Sequence, residues 1–230
     1  MDLLWLFPLL LSVVFHEYAH DWVAYKLGDD TAKRLGRLTL NPIPHIDPVG
    51  TILLPLTLLI IRAPVMLASA KPVPVNFNAL NNPKRDMGLV ALAGPAMNIF
   101  LAIVFAWIGI ILADVLGYQF IAGNEGLSLV STLNQTPSPW ELYAMKSCAA
   151  GYQISLVLAA FNLLPILPLD GGRVVCSILP NKLARSYAQT ERYGLFIILI
   201  CLFFAPGLLY NYVGWLQKGL ERIVSVFIIW

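Results

Sequence analysis

The chain has 230 residues, of which 58% are hydrophobic and 12% are charged, and its mean hydropathy is +0.73. This composition excludes an ordinary soluble domain, and the chain is too long for one membrane span, so we predict a polytopic membrane protein. The formal net charge of +2 indicates no particular partner, and no nucleic-acid partner is expected.

The first predicted span covers about residues 3–27 and contains the sequence HEYAH at residues 16–20. On a helix, His16 and His20 project from one face, so both imidazoles can reach a single zinc ion. Glu17 lies about 100° further round the helix, where it can hold a metal-bound water without binding the metal itself. The pattern is typical of metal-assisted hydrolysis, in which zinc lowers the pKa of the water to about 7 and the carboxylate accepts its proton.

A chance match is the alternative for so short a motif. Ionisable side chains inside an apolar span are costly, however, and they usually serve a function. The span is not expected to be a removable signal peptide, because no basic segment precedes it and it carries the motif itself. The three cysteines, Cys148, Cys176 and Cys201, have no CxxC spacing, so neither a disulfide framework nor a thiolate zinc site is expected.

The rest of the chain alternates polar and apolar stretches. A short alternating piece at residues 37–40 could be a strand, and residues 71–76 (KPVPVN) are typical of an extended proline-rich segment. Residues 48–68 are apolar but are interrupted by prolines and by Arg62. Further spans are predicted at residues 87–112, 148–169 and 193–209, and an apolar tail at residues 212–230. No internal repeat is evident.

Basic residues orient these spans. They concentrate in residues 28–47, 69–86 and 171–192, whereas residues 114–147 contain only Lys146, so the first three stretches should face the cytoplasm. Both flanks of the interrupted apolar piece then lie on one side, which predicts a re-entrant segment that is covered by protein or lines a wet cavity. An ordinary crossing helix with a different topology is the alternative. The spans add up to about four to six transmembrane helices.

Zinc in a catalytic site needs a third protein ligand and an open fourth position. Asp170 is the leading candidate, because the 148–169 span ends there and runs in the same direction as the first span, which places the carboxylate at a comparable depth. Pro165 and Pro168 break the helix so that Asp170 can turn inward, and Gly171 and Gly172 leave the backbone free to bend. The alternative is a helix-ending Asp-Gly-Gly turn at the membrane surface.

Taken together, HEYAH and the later LPLDGGR at residues 167–173 resemble the site-2 protease family of intramembrane zinc metalloproteases. AGPAMN at residues 93–98 resembles the middle core span of that family, and NPIPHIDP at residues 41–48 with KPVPVN resembles its compact prokaryotic branch. The likeness covers about residues 1–185, the predicted metalloprotease core, and residues 186–230 are predicted to be a C-terminal transmembrane helix and an apolar tail. The outer loop is too short for a PDZ domain and no CBS pair follows the core.

The resemblance implies an all-α polytopic bundle with a re-entrant segment and a small membrane-associated β element. His16, His20 and Asp170 would bind one Zn²⁺ per chain, and Glu17 would be the catalytic general base. Asn162 would hold the substrate backbone or the developing oxyanion, unless its amide bonds to a neighbouring helix.

The activity implied is that of a zinc metalloendopeptidase. It would cleave transmembrane protein substrates within or near their membrane segments, as in regulated intramembrane proteolysis. The chain would lie in the lipid bilayer of a prokaryotic plasma membrane as a multi-pass protein, with its active site toward the cytoplasmic side. A polytopic transporter and a non-catalytic zinc-binding scaffold are the rival functions, although a transporter usually shows repeated halves.

Several polar residues have open roles. His45 and Asp47 could supply a fourth zinc ligand or orient a zinc-binding histidine, and Asp21 could do the latter. Gly94 and Asn98 are expected to serve close helix packing. The sequence indicates neither the oligomeric state nor the identity of the substrate.

Overall fold

The computed structural model describes residues 3–45, 75–123, 126–131 and 137–228. This part of the chain is predominantly helical, which confirms the predicted helical class. Its α-helices are α1 (Leu6–Lys26), α2 (Thr31–Arg34), α3 (Pro83–Val115), α4 (Pro139–Asn162), α5 (Asp170–Ile178), α6 (Asn181–Ala188), α7 (Glu191–Phe204) and α8 (Pro206–Ile228). Two strands, β1 (Tyr118–Gly123) and β2 (Gly126–Ser131), form an antiparallel hairpin.

Helices α1, α3 and α4 form the centre of the bundle. The hydroxyl of Ser147 donates to the carbonyl of Leu4, and the hydroxyl oxygens of Ser12 and Ser155 lie 2.8 Å apart. Both pairs join residues that are 143 positions apart, so α1 and α4 run parallel with a constant offset. Helix α3 runs the opposite way, because its end is joined through the hairpin to the start of α4.

The long helices have clear start signals. Helix α4 begins with a capping box, in which the Ser138 hydroxyl accepts from Glu141 N and the Glu141 carboxylate accepts from Ser138 N. Proline stands in the first turn of both α3 and α4, where its missing N–H costs nothing. Among the described helices, α3 and α4 are long and apolar enough to cross a membrane. The predicted total of four to six spans stays a prediction.

One end of the bundle collects the basic stretches. The carbonyl of Leu27, just after α1, accepts from Asn81 N, and Lys84 Nζ at the start of α3 donates to Asn181 Oδ1 at the start of α6. The described parts of the three basic stretches therefore lie at the same end, which we call the basic end. The hairpin and the start of α4 lie at the other end.

Two predicted spans have wrong boundaries. Helix α4 begins at Pro139 and ends at Asn162, so the predicted span at residues 148–169 is too late at both ends, and Asp170 begins a new helix. The predicted span at residues 193–209 is divided between α7 and α8, because Pro206 has no N–H with which to continue the first helix.

The β element also differs from the prediction. Residues 37–40 form a coil and bends, and the strands lie at residues 118–131, inside the predicted outer loop at residues 114–147. The antiparallel pairing of β1 with β2 is closed by Gly123 and Gly126. The predicted re-entrant piece at residues 48–68, Asp47 and most of the proline-rich segment (residues 71–74) lie outside the described residues.

Candidate metal centre

Helix α1 supplies two buried imidazoles. His16 and His20 are four residues apart, they are 6% and 7% exposed, and their Nε2 atoms lie 3.0 Å apart. Residues at this spacing stack on one face of a helix, and this face of α1 is turned into the bundle. The HEYAH motif is therefore folded as the sequence predicts, with both Nε2 atoms directed to the same point.

The third side chain of the site, that of Asp170, is positioned by a turn between α4 and α5. Because α1 and α4 run with an offset of 143 residues, a continued α4 would place Asp170 level with Leu27, roughly 10–16 Å along the axis from the histidines. The chain instead leaves the helix at Leu163 and folds back, with Ile166 N bonded to Leu164 O and Leu169 N bonded to Ile166 O. This turn carries Asp170 back to the depth of the imidazoles.

The carboxylate of Asp170 completes a triangle of ligand atoms. Its Oδ2 lies 3.2 Å from His16 Nε2 and 3.3 Å from His20 Nε2. These three residues are the group of described side chains that could hold a metal ion together. The turn before Asp170 confirms that the prolines break the helix as expected.

Gly171 and Gly172 serve packing and not bending, which corrects the sequence-based interpretation. Both lie in α5. A Cβ at Gly171 would lie 2.3 Å from Leu163 O, and a Cβ at Gly172 would lie 2.5 Å from Leu167 N. The first turn of α5 can therefore rest on the folded-back turn only because these two side chains are missing.

One face of α3 supports the two histidines. His20 Nδ1 donates to the carbonyl of Val90 at 2.7 Å, and the buried amide of Asn98 lies 3.1 Å from His16 Nδ1. Between them, a Cβ at Gly94 would lie 2.4 Å from His20 Nε2, so only glycine lets α3 approach this closely. The three α3 residues are spaced by four and form one continuous contact face.

These contacts decide which ring nitrogens carry protons. A carbonyl can only accept, so His20 Nδ1 bears the proton, and in the neutral ring Nε2 presents a lone pair. The amide nitrogen Nδ2 of Asn98 is the atom placed 3.1 Å from His16 Nδ1, which leaves the buried Oδ1 without a partner among the described residues; turning the amide over places Oδ1 against the ring, where it accepts from His16 Nδ1–H. Both Nε2 atoms then present lone pairs toward the same carboxylate oxygen.

This arrangement fits a zinc ion. Two nitrogen lone pairs and a carboxylate oxygen repel one another at 3.0–3.3 Å unless a cation lies between them. Two ligands of a tetrahedral zinc lie about 3.3 Å apart when each bond is about 2.0–2.1 Å, which matches these separations. Among the described residues, Asp170 Oδ2 also lacks a hydrogen-bond partner although it is buried. A set of two histidines and one carboxylate leaves the fourth position open for chemistry.

The two predicted catalytic residues have different surroundings. Glu17 is half-buried and follows His16 directly on α1. Asn162 is the last residue of α4, and its Nδ2 donates to the carbonyl of Leu158 in the same helix at 3.0 Å. The alternative of a bond between Asn162 and a neighbouring helix is therefore wrong for this donor, and the oxyanion role stays a prediction.

Among the described residues, His45 and Asp21 make no hydrogen bond to the two histidines. His45 Nε2 donates to the carbonyl of Thr39, and His45 is not a member of the metal-binding group. Asp21 is fully buried, but neither of its oxygens has a hydrogen-bond partner in the described part of the chain. The Nδ1 atoms of His16 and His20 contact Asn98 and the carbonyl of Val90 instead. This role was not predicted for either residue.

A signal for Asn98 was present in the sequence. Gly94 and Asn98 repeat the spacing of His16 and His20, which is the pattern expected when two helices meet along matching faces. The carbonyl of Val90 has no such signal, because every residue of a helix carries one.

Comparison with known proteins finds similarity to a peptidase family and to proteins named as zinc metalloproteases. The model of "Peptidase family M50" matches residues 4–205. A protein of Bacillus subtilis named "Putative zinc metalloprotease YwhC" is 41% identical over 225 residues, which cover 95% of this chain and 88% of that protein. "Putative zinc metalloprotease Rip2" of Mycolicibacterium smegmatis is 27% identical and aligns with 86% of this chain and 66% of its own length. "Zinc metalloprotease MJ0392" of Methanocaldococcus jannaschii is 26% identical over 85% of this chain and 41% of its own length. No solved structure gives a significant match.

Proposed function

The chain belongs to peptidase family M50, a family of zinc metalloproteases, and on that premise we propose that it is an intramembrane zinc metalloendopeptidase. The observation that carries the proposal is the convergence of His16 Nε2, His20 Nε2 and Asp170 Oδ2 within 3.0–3.3 Å of one another. These three residues would hold one zinc ion. The division into a core at residues 1–185 and a C-terminal part at residues 186–230 is proposed with it.

The membrane placement is part of the proposal. Helices α3 and α4 can span the bilayer, and α1 runs parallel to α4 beside both. Because the basic stretches lie at one end of the bundle, that end is assigned to the cytoplasm. The substrates would then be transmembrane proteins, cleaved in or near their membrane segments after local unwinding, since an intact helix keeps its carbonyl groups bonded.

The bound zinc would act as a Lewis acid that makes a coordinated water acidic, with a pKa of about 7. Glu17 would accept the proton of the attacking water and pass it to the leaving amine as the peptide C–N bond breaks. The carbonyl of Val90 and the amide of Asn98 would keep the two imidazoles in the tautomer that offers Nε2 to the metal, and Gly94 would let α3 approach closely enough for both contacts. Asn162 would donate one of its two Nδ2 hydrogens to the developing oxyanion, while the other bonds to Leu158 O.

The test compares zinc content with cleavage. Purified wild type should carry about one zinc per chain and should cleave a single-span reporter protein in liposomes. Glu17→Gln should keep its zinc and lose about 10²- to 10⁴-fold in cleavage rate, because the amide cannot accept the proton. Glu191→Gln, which changes an exposed carboxylate on α7, is the matched control and should change neither quantity.

Three outcomes would contradict the proposal. Full activity of Glu17→Gln would remove Glu17 from the mechanism. Zinc bound by wild type without cleavage of any single-span reporter would favour a scaffold. Absence of zinc from the purified wild type would contradict the proposal that this chain is a metalloprotease.

A further inference from the structure

Helix α8 lies outside the family match, which ends at residue 205, and it packs along the centre of the bundle. Its residue Leu209 joins a buried cluster with Leu164, just past the end of α4. Further along, Leu220 and Val224 belong to the buried cluster that includes Leu156 of α4. The buried apolar side chains of α8 therefore pack against the rest of the chain.

A hydrogen bond fixes the depth of α8. Gln217 Nε2 donates to Gln153 Oε1 at 2.9 Å. Gln217 stands at the middle of α8, and Gln153 lies within one helical turn of the middle of α4. A helix of 23 residues is about 34 Å long, close to the thickness of the hydrocarbon core. On the spanning placement proposed above, the middle of α8 therefore lies near the bilayer centre.

Charged side chains stand at this same depth on the opposite face. Lys218 and Arg222 are exposed, and Glu221 is half-buried and accepts from Gln217 Nε2 at 2.8 Å. In the part of the chain that the structure describes, neither cation has a carboxylate within ion-pair distance. We call these three residues the charged stripe of α8.

Such a stripe cannot face lipid. Charged groups at the bilayer centre are costly, and from that depth the side chains are too short to bring their charge to the headgroups. They require water or a partner with matching charge. The stripe carries both signs within two turns, so two identical copies placed side by side about a two-fold axis present each Glu221 to the cations of the other copy.

We propose that the charged stripe of α8 is the surface through which two copies of this chain associate in the membrane. The interface is isologous, with Glu221 of each copy between Lys218 and Arg222 of the other. It is independent of the metal centre, because α8 lies against the side of α4 and the histidines are on α1. Its test involves neither zinc nor proteolysis, so its failure is distinguishable from failure of the proposed function.

The experiment measures association of the full chain in liposomes of phosphatidylcholine and phosphatidylglycerol. Donor- and acceptor-labelled protein is mixed, and energy transfer is followed as the protein-to-lipid ratio falls. Glu221→Lys should weaken association by about tenfold or more, because the stripe then carries one sign only. The charge-swapped triple variant Lys218→Glu/Glu221→Lys/Arg222→Glu, which again places opposite charges on both sides of position 221, should regain most of the wild-type association. Lys182→Glu on α6, at the basic end, is the control and should associate as wild type does.

A fold check accompanies each variant, with helical content compared by circular dichroism. If Glu221→Lys fails to fold, Glu221→Gln keeps the oxygen that accepts from Gln217 and should still weaken association several-fold. Wild type that stays monomeric at every ratio would overturn the proposal. So would Glu221→Lys that associates as wild type does, or a charge swap that restores nothing. Reaction of Lys218→Cys with a water-soluble maleimide in the same liposomes would show that the stripe faces water, and this too would overturn the proposal.

Discussion

Helices α1 and α8 are similar in length, 21 and 23 residues, and both are mainly apolar with a few polar groups near the middle. They differ in where those groups point. Helix α1 buries Ser12, His16 and His20, and each is within 2.7–3.3 Å of a group on another helix. Helix α8 buries only apolar side chains and leaves Lys218 and Arg222 on its outer face.

The contrast shows that spacing alone does not identify a buried polar face. His16 and His20 are four residues apart, and so are Lys218 and Arg222. The deciding feature is the neighbouring backbone. Gly94 of α3 lets that helix come within contact of the imidazoles, whereas a Cβ at Gly214 or Gly219 of α8 would meet nothing within 4 Å. A pair of polar side chains forms a buried site only where the backbone of a second helix lies close enough to contact it.

The largest effect should come from removing the third ligand. Asp170→Ala leaves two imidazoles and no carboxylate, so the zinc content should fall from about one per chain to near zero after dialysis against a weak chelator. Inductively coupled plasma mass spectrometry gives the metal content. Asp114→Ala, an exposed carboxylate at the far end of α3, is the control and should keep its zinc. Zinc retained by Asp170→Ala would mean that another residue supplies the third ligand beside His16 and His20.

A smaller effect should follow from removing the support of His16. Asn98→Leu deletes the amide that faces His16 Nδ1, and we expect zinc affinity to fall about 10- to 100-fold. Asn98→Asp keeps an acceptor oxygen and should stay close to wild type. The visible spectrum of the Co²⁺-substituted protein gives a second readout, since a tilted imidazole changes the coordination geometry. Equal loss in both variants would indicate that Asn98 contributes only packing.

The sequence predicts the three residues that the structure brings together, because their chemistry limits the choice. Two histidines spaced by four within an apolar helix, followed by a carboxylate after two prolines, leave few arrangements other than a shared metal. The fold-back at residues 163–169 was placed too late, since hydropathy does not separate an apolar turn from an apolar helix. Pro165 did mark the break, because a proline disfavours helical backbone at the residue before it.

Other features had weaker local signals. The hairpin at residues 118–131 depends on a glycine-containing stretch that also suits a plain loop, and Pro206 divides α7 from α8 within a run that hydropathy does not separate. The sequence of the apolar tail also does not indicate whether its charged side chains face the bundle or the outside of the bundle. That orientation follows from packing of Leu220 and Val224 against α4, which only the assembled bundle determines.

The next test concerns the hydroxyl pair that joins α1 to α4. Ser12 and Ser155 are both fully buried, so Ser12→Ala leaves the Ser155 hydroxyl without a partner. We expect a loss of about 1–2 kcal/mol in the free energy of unfolding, measured by titration with sodium dodecyl sulfate in mixed micelles. The double variant Ser12→Ala/Ser155→Ala should lose less than the sum of the single variants, with a coupling of about 0.6 kcal/mol. Strict additivity would mean that the two hydroxyls do not bond.

The smallest effect is expected on the outer face of α8. Lys218 has no ion-pair partner among the described residues, so Lys218→Leu should change the free energy of unfolding of dilute, monomeric protein in detergent by no more than about 0.5 kcal/mol. The same titration that is used for Ser12→Ala measures it, and Ile223→Ala, another exposed position on α8, is the control. A loss as large as that of Ser12→Ala would place a partner for Lys218 within the chain. A charge that costs nothing to remove from the monomer is one that the monomer does not use, so the expected small change would mean that α1 satisfies its polar groups within the chain and α8 does not.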